Sequence, residues 1–209
     1  MSPRPADGSR FLALALALGA AACGPAAPNL DSPGSTIVCF GDSITAGIGA
    51  GPEESYPHRL SAALGVEVRS LGYPGDTAGA AAARLDQVLA QDPWLVIVEL
   101  GGNDLLQRVP VAATEQALRG IVERLLAARI VPVLVEIEVP VFGGQYGEMF
   151  ERLGDDYSVP VVDGALRGIL TDPALKSDTI HPNAAGYDRL AQAVAAEVRP
   201  LLAARRGAL

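Results

Sequence analysis

The sequence has 209 residues, is 49% hydrophobic and 19% charged, and carries a formal net charge of −8 with two histidines and two cysteines. That length and apolar content suit one folded domain with a sizeable core and exclude a chain that is disordered throughout. The acidic balance, with no cluster of Lys or Arg, excludes a protein built to grip phosphate backbones, so nucleic acid is not an expected partner.

In chain order, Arg4 and Arg10 precede and flank an apolar run from Phe11 to Ala22. This run is too short to span a bilayer but suits the apolar region of an export signal. It ends in Ala20-Ala21-Ala22-Cys23-Gly24. Small residues before a cysteine resemble a bacterial lipobox, in which the cysteine is acylated. Residues 1–22 are therefore expected to be a signal and Cys23 a lipidation site. The exported protein would then be anchored to a membrane, facing the periplasm or the exterior. A plain secretory cut after an alanine is the alternative. Residues 23–34 are rich in Pro, Gly and small side chains and are expected to form a flexible tether. The folded domain is expected over residues 35–205.

From there strand-like and helix-like segments alternate. Thr36–Phe40 is an apolar run ending at Gly41, the pattern of a buried strand. A helix is predicted over Glu54–Leu64 and a strand over Val66–Leu71. Asp76–Gln91 reads as one strong helix capped by Asp76 or Thr77. Trp94–Leu100 is the clearest buried strand, with Trp94 in the core. Thr114–Arg129 is amphipathic, and Ile130–Ile137 is a further strand. A helix near Gly144–Leu153, a short strand at Val159–Val162 and a last helix over Asn183–Leu202 complete the pattern. Such alternation implies parallel pairing with helices on both faces. The expected fold class is α/β: a three-layer α/β/α sandwich around a central, mostly parallel five-stranded sheet. Sites in such sheets lie beyond the carboxyl ends of the strands.

Four motifs fall at those ends. Gly41-Asp42-Ser43 follows the first strand, where a serine on a tight strand-to-helix turn exposes its hydroxyl beside helix N–H groups. By itself this could equally be a helix cap, and the second glycine of a G-x-S-x-G elbow is absent, Thr45 standing in its place. Asp178-Thr179-Ile180-His181-Pro182 precedes the last helix, and its spacing lets a carboxylate orient an imidazole base for a hydroxyl nucleophile. Gly101-Gly102-Asn103-Asp104 follows the central strand, and Asn103 offers an amide donor of the kind an acyl-transfer oxyanion needs. Gly72-Tyr73-Pro74-Gly75-Asp76-Thr77 follows the second strand, where the Gly75 N–H can face the same oxyanion. Asp42 and Asp104 are expected to hold these loops by hydrogen bonds, Cys39 to be a buried thiol, and His58 to lie on a solvated face.

The order Ser, Gly, Asn, His in four such blocks resembles the SGNH hydrolase (GDSL esterase/lipase) family over about residues 36–190. The thioesterase I, lysophospholipase and arylesterase branch is the most similar. Phe40–Gly49 (FGDSITAGIG), Pro52–Pro57 (PEESYP), Gly75-Asp76-Thr77, Glu99–Asp104 (ELGGND) and Asp178–Asn183 (DTIHPN) carry the resemblance. It implies the flavodoxin-like fold of that family and a catalytic set of Ser43, Asp178 and His181. It also implies an oxyanion hole made by Ser43, Gly75 and Asn103. The implied function is hydrolysis of carboxylic esters, thioesters or lysophospholipids through an acyl-serine, with no cofactor or metal. Ser70 stands where many members carry asparagine, and Tyr73-Pro74 is bulkier than usual. Leu105, Leu106, Val141, Phe142 and Tyr146 follow strands and are candidate substrate-binding residues, although core packing would explain each as well. Rival readings are a carbohydrate deacetylase or acyltransferase on the same site, or a lipoprotein binding module without catalysis. A dinuclear metallophosphoesterase needs several histidine ligands, and this chain offers His58 and His181 alone.

Overall fold

The computed structural model describes residues 27–137 and 144–208. Cys23, Val141 and Phe142, singled out above, lie outside the described residues, as do residues 1–22. The elements are β1 (Thr36–Gly41), α1 (Ser43–Ala46), α2 (Tyr56–Leu64), β2 (Val68–Gly72), α3 (Ala78–Ala83), α4 (Leu85–Leu89) and β3 (Pro93–Glu99). There follow α5 (Gly102–Leu106), α6 (Val111–Ala127), β4 (Val131–Val135), α7 (Gln145–Tyr157), β5 (Val161–Val162) and α8 (Ala184–Ala208).

All five strands are parallel, in the order β2-β1-β3-β4-β5. Every residue of β3 and β4 is buried, as an apolar run covered by helices on both faces must be. One helical layer joins α2 to α8, and the other joins α3, α6 and α7. Leu60, Val194 and Val198 fill the first layer, and Leu118, Ile121, Val122 and Met149 fill the second, all fully buried. The five-stranded α/β/α sandwich expected from the sequence is the architecture found.

Because β1 lies between β2 and β3, the chain leaves its carboxyl end toward opposite sides. This is the switch point at which such sheets open a crevice. The loops after β1, β2 and β3, and the loop before α8, meet there.

Two expectations change. The helix predicted over Asp76–Gln91 is two short helices, broken at Arg84 (φ −109°, ψ 12°). Thr77 caps α3 by accepting from the Ala80 N–H at 3.2 Å, and Asp76 is left outside the helix. Residues 27–34, expected to be a flexible tether, lie against the domain. The Asn29 amide donates to the carbonyls of Leu126 (3.1 Å) and Ile130 (3.3 Å), and Ala27 and Leu30 pack on the core. Pro and Gly remove helix and strand from such a segment, but they do not prevent its few apolar and amide groups from docking.

Candidate active site

Ser43 opens α1 directly after β1. Asp42 caps that helix, its Oδ1 accepting from the Ile44 N–H at 3.0 Å. The cap leaves the Ser43 side chain at the rim of the sheet. His181, 138 residues later, brings Nε2 to 3.0 Å from the Ser43 Oγ. Behind it, Nδ1 lies 2.8 Å from Asp178 Oδ2. The Asp178 Oδ1 meanwhile accepts from the backbone N–H groups of Ile180 and His181, both at 2.9 Å. One carboxylate thus folds the turn and orients the ring. The bond to His181, followed by these N–H bonds, holds the Asp178 carboxyl down at about 2, below the usual carboxylate range.

The His181 loop is fixed from both sides. The Asn183 Oδ1 accepts from the Gly186 N–H at 3.1 Å at the start of α8, and its amide donates to the Ala174 carbonyl at 2.9 Å. Gly49 (φ +99°) lies against this loop, where a Cβ would collide with Ser177 and the Pro182 carbonyl and press on His181. The loop after α1 can therefore close on the histidine only through a glycine.

Gly75 sits in the turn after β2 with φ +88° and open space where a Cβ would stand. Glycine is required there by backbone conformation and not by crowding. Among the described residues no acceptor meets its N–H. Asn103, in the first turn of α5, donates from Nδ2 to Asp42 Oδ2 at 2.8 Å and to the Asp76 carbonyl at 3.0 Å. The structure therefore brings Ser43, His181 and Asp178 into one hydrogen-bonded line and sets Asn103, with both amide hydrogens engaged, against Asp42 and against Asp76, the residue after Gly75.

The neighbouring carboxyls behave as loop holders, as expected. Asp104 accepts from the Ala78 N–H (2.8 Å) and the Thr114 hydroxyl (3.1 Å). Asp42 is buried, and burial pushes its carboxyl up to about 6 against the pull of the Ile44 N–H. Glu99, at the end of β3, is pushed well up by burial and then by the Asp42 charge, and it accepts from the Thr45 hydroxyl at 2.8 Å. Cys39 is a buried free thiol raised to about 12 by burial, Trp94 is in the core, and His58 is exposed.

Of the candidate substrate-binding residues, Leu106 is exposed at 53% and Leu105 is half-buried. Tyr146 is 5% exposed, its ring beside Gly101, so it is a core residue and not an open wall. A cavity of about 770 Å³ lined by Glu136, Phe150, Asp155 and Glu197 shares no residue with the Ser43 site. Sequence reasoning missed Arg84, which reaches the carbonyl of Gly41 at 2.9 Å. Its signal was present: it falls on the stripe of Ala78, Ala81, Leu85 and Val88 that α3 and α4 bury, and a charge on such a stripe must find partners there.

A hydroxyl, an imidazole and a carboxylate in one hydrogen-bonded line make an arrangement suited to acyl transfer. Comparisons with known proteins agree. The chain is 32% identical over 176 residues to the Escherichia coli K12 protein named thioesterase 1/protease 1/lysophospholipase L1, covering 80% of this chain and 85% of that one. It is 31% identical over 174 residues to an arylesterase of Vibrio mimicus, covering 78% and 87%. The crystal structure of the psychrotrophic esterase EstA from Pseudoalteromonas sp., inhibited by monoethylphosphonate, superposes with a TM-score of 0.72 at 27% identity, covering 80% of this chain and 98% of that one. Residues 39–189 match the model of the GDSL-like lipase/acylhydrolase family, and the chain belongs to that family.

Proposed function

We propose that this chain hydrolyses carboxylic esters and thioesters through an acyl-serine on Ser43, with His181 as base and Asp178 as its orienting acid. The family membership and the esterase and thioesterase names of its relatives support the reaction class. One observation carries the assignment of residues: the 3.0 Å approach of His181 Nε2 to Ser43 Oγ, with Asp178 2.8 Å behind the ring.

In this reading the Ser43 hydroxyl gives its proton to His181 as it attacks the carbonyl carbon. The imidazolium so formed donates to Asp178 from Nδ1. The oxyanion is received by the N–H groups of Ser43 and Gly75 and by the Asn103 amide. Asn103 must release one bond to do so. The neutral Asp76 carbonyl is a weaker acceptor than the Asp42 carboxylate and is the one displaced. His181 then protonates the leaving alcohol or thiol. It next takes a proton from water, which attacks the acyl-serine carbonyl, and returns that proton to the Ser43 oxygen as its bond to the acyl group breaks and the acid is freed.

The substrate in this reading carries an apolar acyl or aryl group. Among the described residues the exposed large hydrophobic side chains are Ile48, Tyr73, Leu106 and Ile180. Tyr73, Leu106 and Ile180 share a loop or short helix with Gly75, Asn103 or His181, and Ile48 lies in the loop after α1, its N–H bonded to the Ser43 carbonyl at 3.0 Å. Concentrated exposed apolar surface around a polar centre marks a binding surface.

The test is hydrolysis of nitrophenyl esters of graded acyl length by the parent and by Ser43→Ala. The parent should turn over, with kcat/KM rising from acetyl to medium-chain esters. Ser43→Ala should keep the parent circular dichroism spectrum and lose activity by about 10³-fold or more. Appreciable turnover by the alanine variant would remove Ser43 from the chemistry. A flat chain-length profile would remove the apolar substrate and leave the mechanism standing.

A further inference from the structure

Arg84 stands at the break between α3 and α4, with its side chain only 10% exposed. Its guanidinium carbon lies over two rings, 4.6 Å from the Phe40 centroid and 4.1 Å from that of Tyr73. Each edge of the plane has a different partner. Nη2 donates to the Gly41 carbonyl at 2.9 Å, Nη1 to the Leu71 carbonyl at 3.2 Å, and Nε to Asp76 Oδ2 at 2.5 Å.

We propose that Arg84 is a positioning residue for the oxyanion site, locking the turn Tyr73–Asp76 to the end of the strand that delivers Ser43. The proposal rests on the assignment of Gly75 and Asn103 as oxyanion donors. The turn projects beyond β2 and closes on itself through one bond, Asp76 N–H to the Tyr73 carbonyl at 3.2 Å. A turn with a left-handed glycine at its tip and one internal bond does not fix an N–H direction. Arg84 supplies the missing restraints. It covers the Tyr73 ring, holds the Asp76 carboxylate, and shares the Gly41 carbonyl with the Tyr73 N–H, which lies 3.0 Å from it. Gly41 is two residues before Ser43, so the same carbonyl ties the hydroxyl and the turn into one frame. The carbonyl of Asp76, in turn, receives the Asn103 amide at 3.0 Å. Through Asp76 the guanidinium therefore governs where the Gly75 N–H stands, and where the Asn103 amide rests before the oxyanion displaces the Asp76 carbonyl.

Arginine suits this post and lysine does not. The plane bonds in three directions at once while it lies over two rings, whereas an ammonium is a point charge with no face to stack. The break in the helix follows from this. Arg84 leaves helical geometry at a place where its side chain has five partners and the backbone gives up little.

The test uses Arg84→Lys and Arg84→Gln, with a nitrophenyl ester as substrate and an alkyl boronic acid as a mimic of the tetrahedral adduct. Misplacement of a reacting group by about 1 Å costs on the order of 10²-fold. In both variants kcat should fall by roughly 10- to 100-fold, with KM moving less than about threefold. Boronate affinity should weaken in proportion to kcat/KM, and the pH midpoint of kcat/KM should stay at the parent value because His181 and Asp178 are untouched. A merely structural role would not produce this split. Should Arg84→Gln not fold, Asp76→Ser cuts the same ion pair while keeping the Asp76 carbonyl, and it should show the same pattern. Folded variants with parental kcat, or with a raised KM and unchanged boronate affinity, would overturn the proposal. If Ser43→Ala is inactive while the Arg84 variants are fully active, only the positioning role fails. If Ser43→Ala is itself active, the assignment beneath it fails.

Discussion

The carboxylate of Asp42, the residue before Ser43, caps α1 through Oδ1 and receives the Asn103 amide through Oδ2. Both bonds favour the anion, yet burial outweighs them and lifts the carboxyl to about 6. Folding therefore binds a proton at Asp42 more tightly than the unfolded chain does. The stability this contributes is fully present below the ordinary carboxylate value and is lost as pH rises through about 6. Glu99 beside it is pushed well up in the same direction, by burial and then by the Asp42 charge. In Asp42→Asn this dependence disappears. The stability of the parent relative to Asp42→Asn, read from urea midpoints, should fall between about pH 4 and pH 6 and then level off. A difference that is flat or that grows with pH would show that Asp42 is not held by burial in the way described.

At the scale of elements, one residue ties three helices at the site. Asp104, in the first turn of α5, accepts from the first N–H of α3 and from Thr114 near the start of α6. All three groups are buried. Asp104→Ala leaves the Ala78 N–H and the Thr114 hydroxyl without a partner in the interior, a loss of about 3 kcal/mol at roughly 1–3 kcal/mol per orphaned group. Urea denaturation should show this as a lowered midpoint with an unchanged slope, and a shift under about 0.5 kcal/mol would mean that other groups replace Asp104. The elements themselves were largely legible in the sequence, because their periods are set by burial on both faces of the sheet. β3 and β4 read as apolar runs for that reason, and the four motif blocks stood out because each follows a strand or precedes the last helix. The Asp76–Gln91 segment was misread because alanine favours helix at every position, and propensity says nothing about a side chain with distant partners. Arg84 bends the chain through carbonyls on β1 and β2, which no local window contains. Asp76 looked like a cap for the same reason, although its carboxylate faces Arg84. The engagement of both Asn103 hydrogens was likewise invisible, since it depends on how closely Asp42 and Asp76 approach across three loops.

Across the whole molecule the two ends of the sheet have separate duties. The carboxyl ends of β1, β2 and β3 carry Ser43, Gly75 and Asn103. The opposite end is closed by residues 27–34, which the composition had presented as a free tether. Asn29 bonds the carbonyls of Leu126 and Ile130, Asp31 pairs with Arg129, and Ala27 and Leu30 pack on the core. From α8, Arg205 lies 4.5 Å from the centroid of Trp94 and donates to the carbonyls of Ser32 and Gly34. A chain beginning at Ser35 would expose apolar surface under Leu30 and strip Arg205 and two carbonyls of their partners. The Asp31–Arg129 pair is exposed and adds little. Half-burial of one leucine, together with about two net hydrogen bonds, gives a loss on the order of 2–4 kcal/mol. No group at the Ser43 end is touched. The shortened chain should therefore unfold at a lower urea concentration than one beginning at Ala27 while keeping its kcat on a short-chain ester at 25 °C. Equal midpoints would restore the segment to the status of a tether. A fall in kcat at temperatures where both chains are folded would show that the two ends of the sheet are coupled.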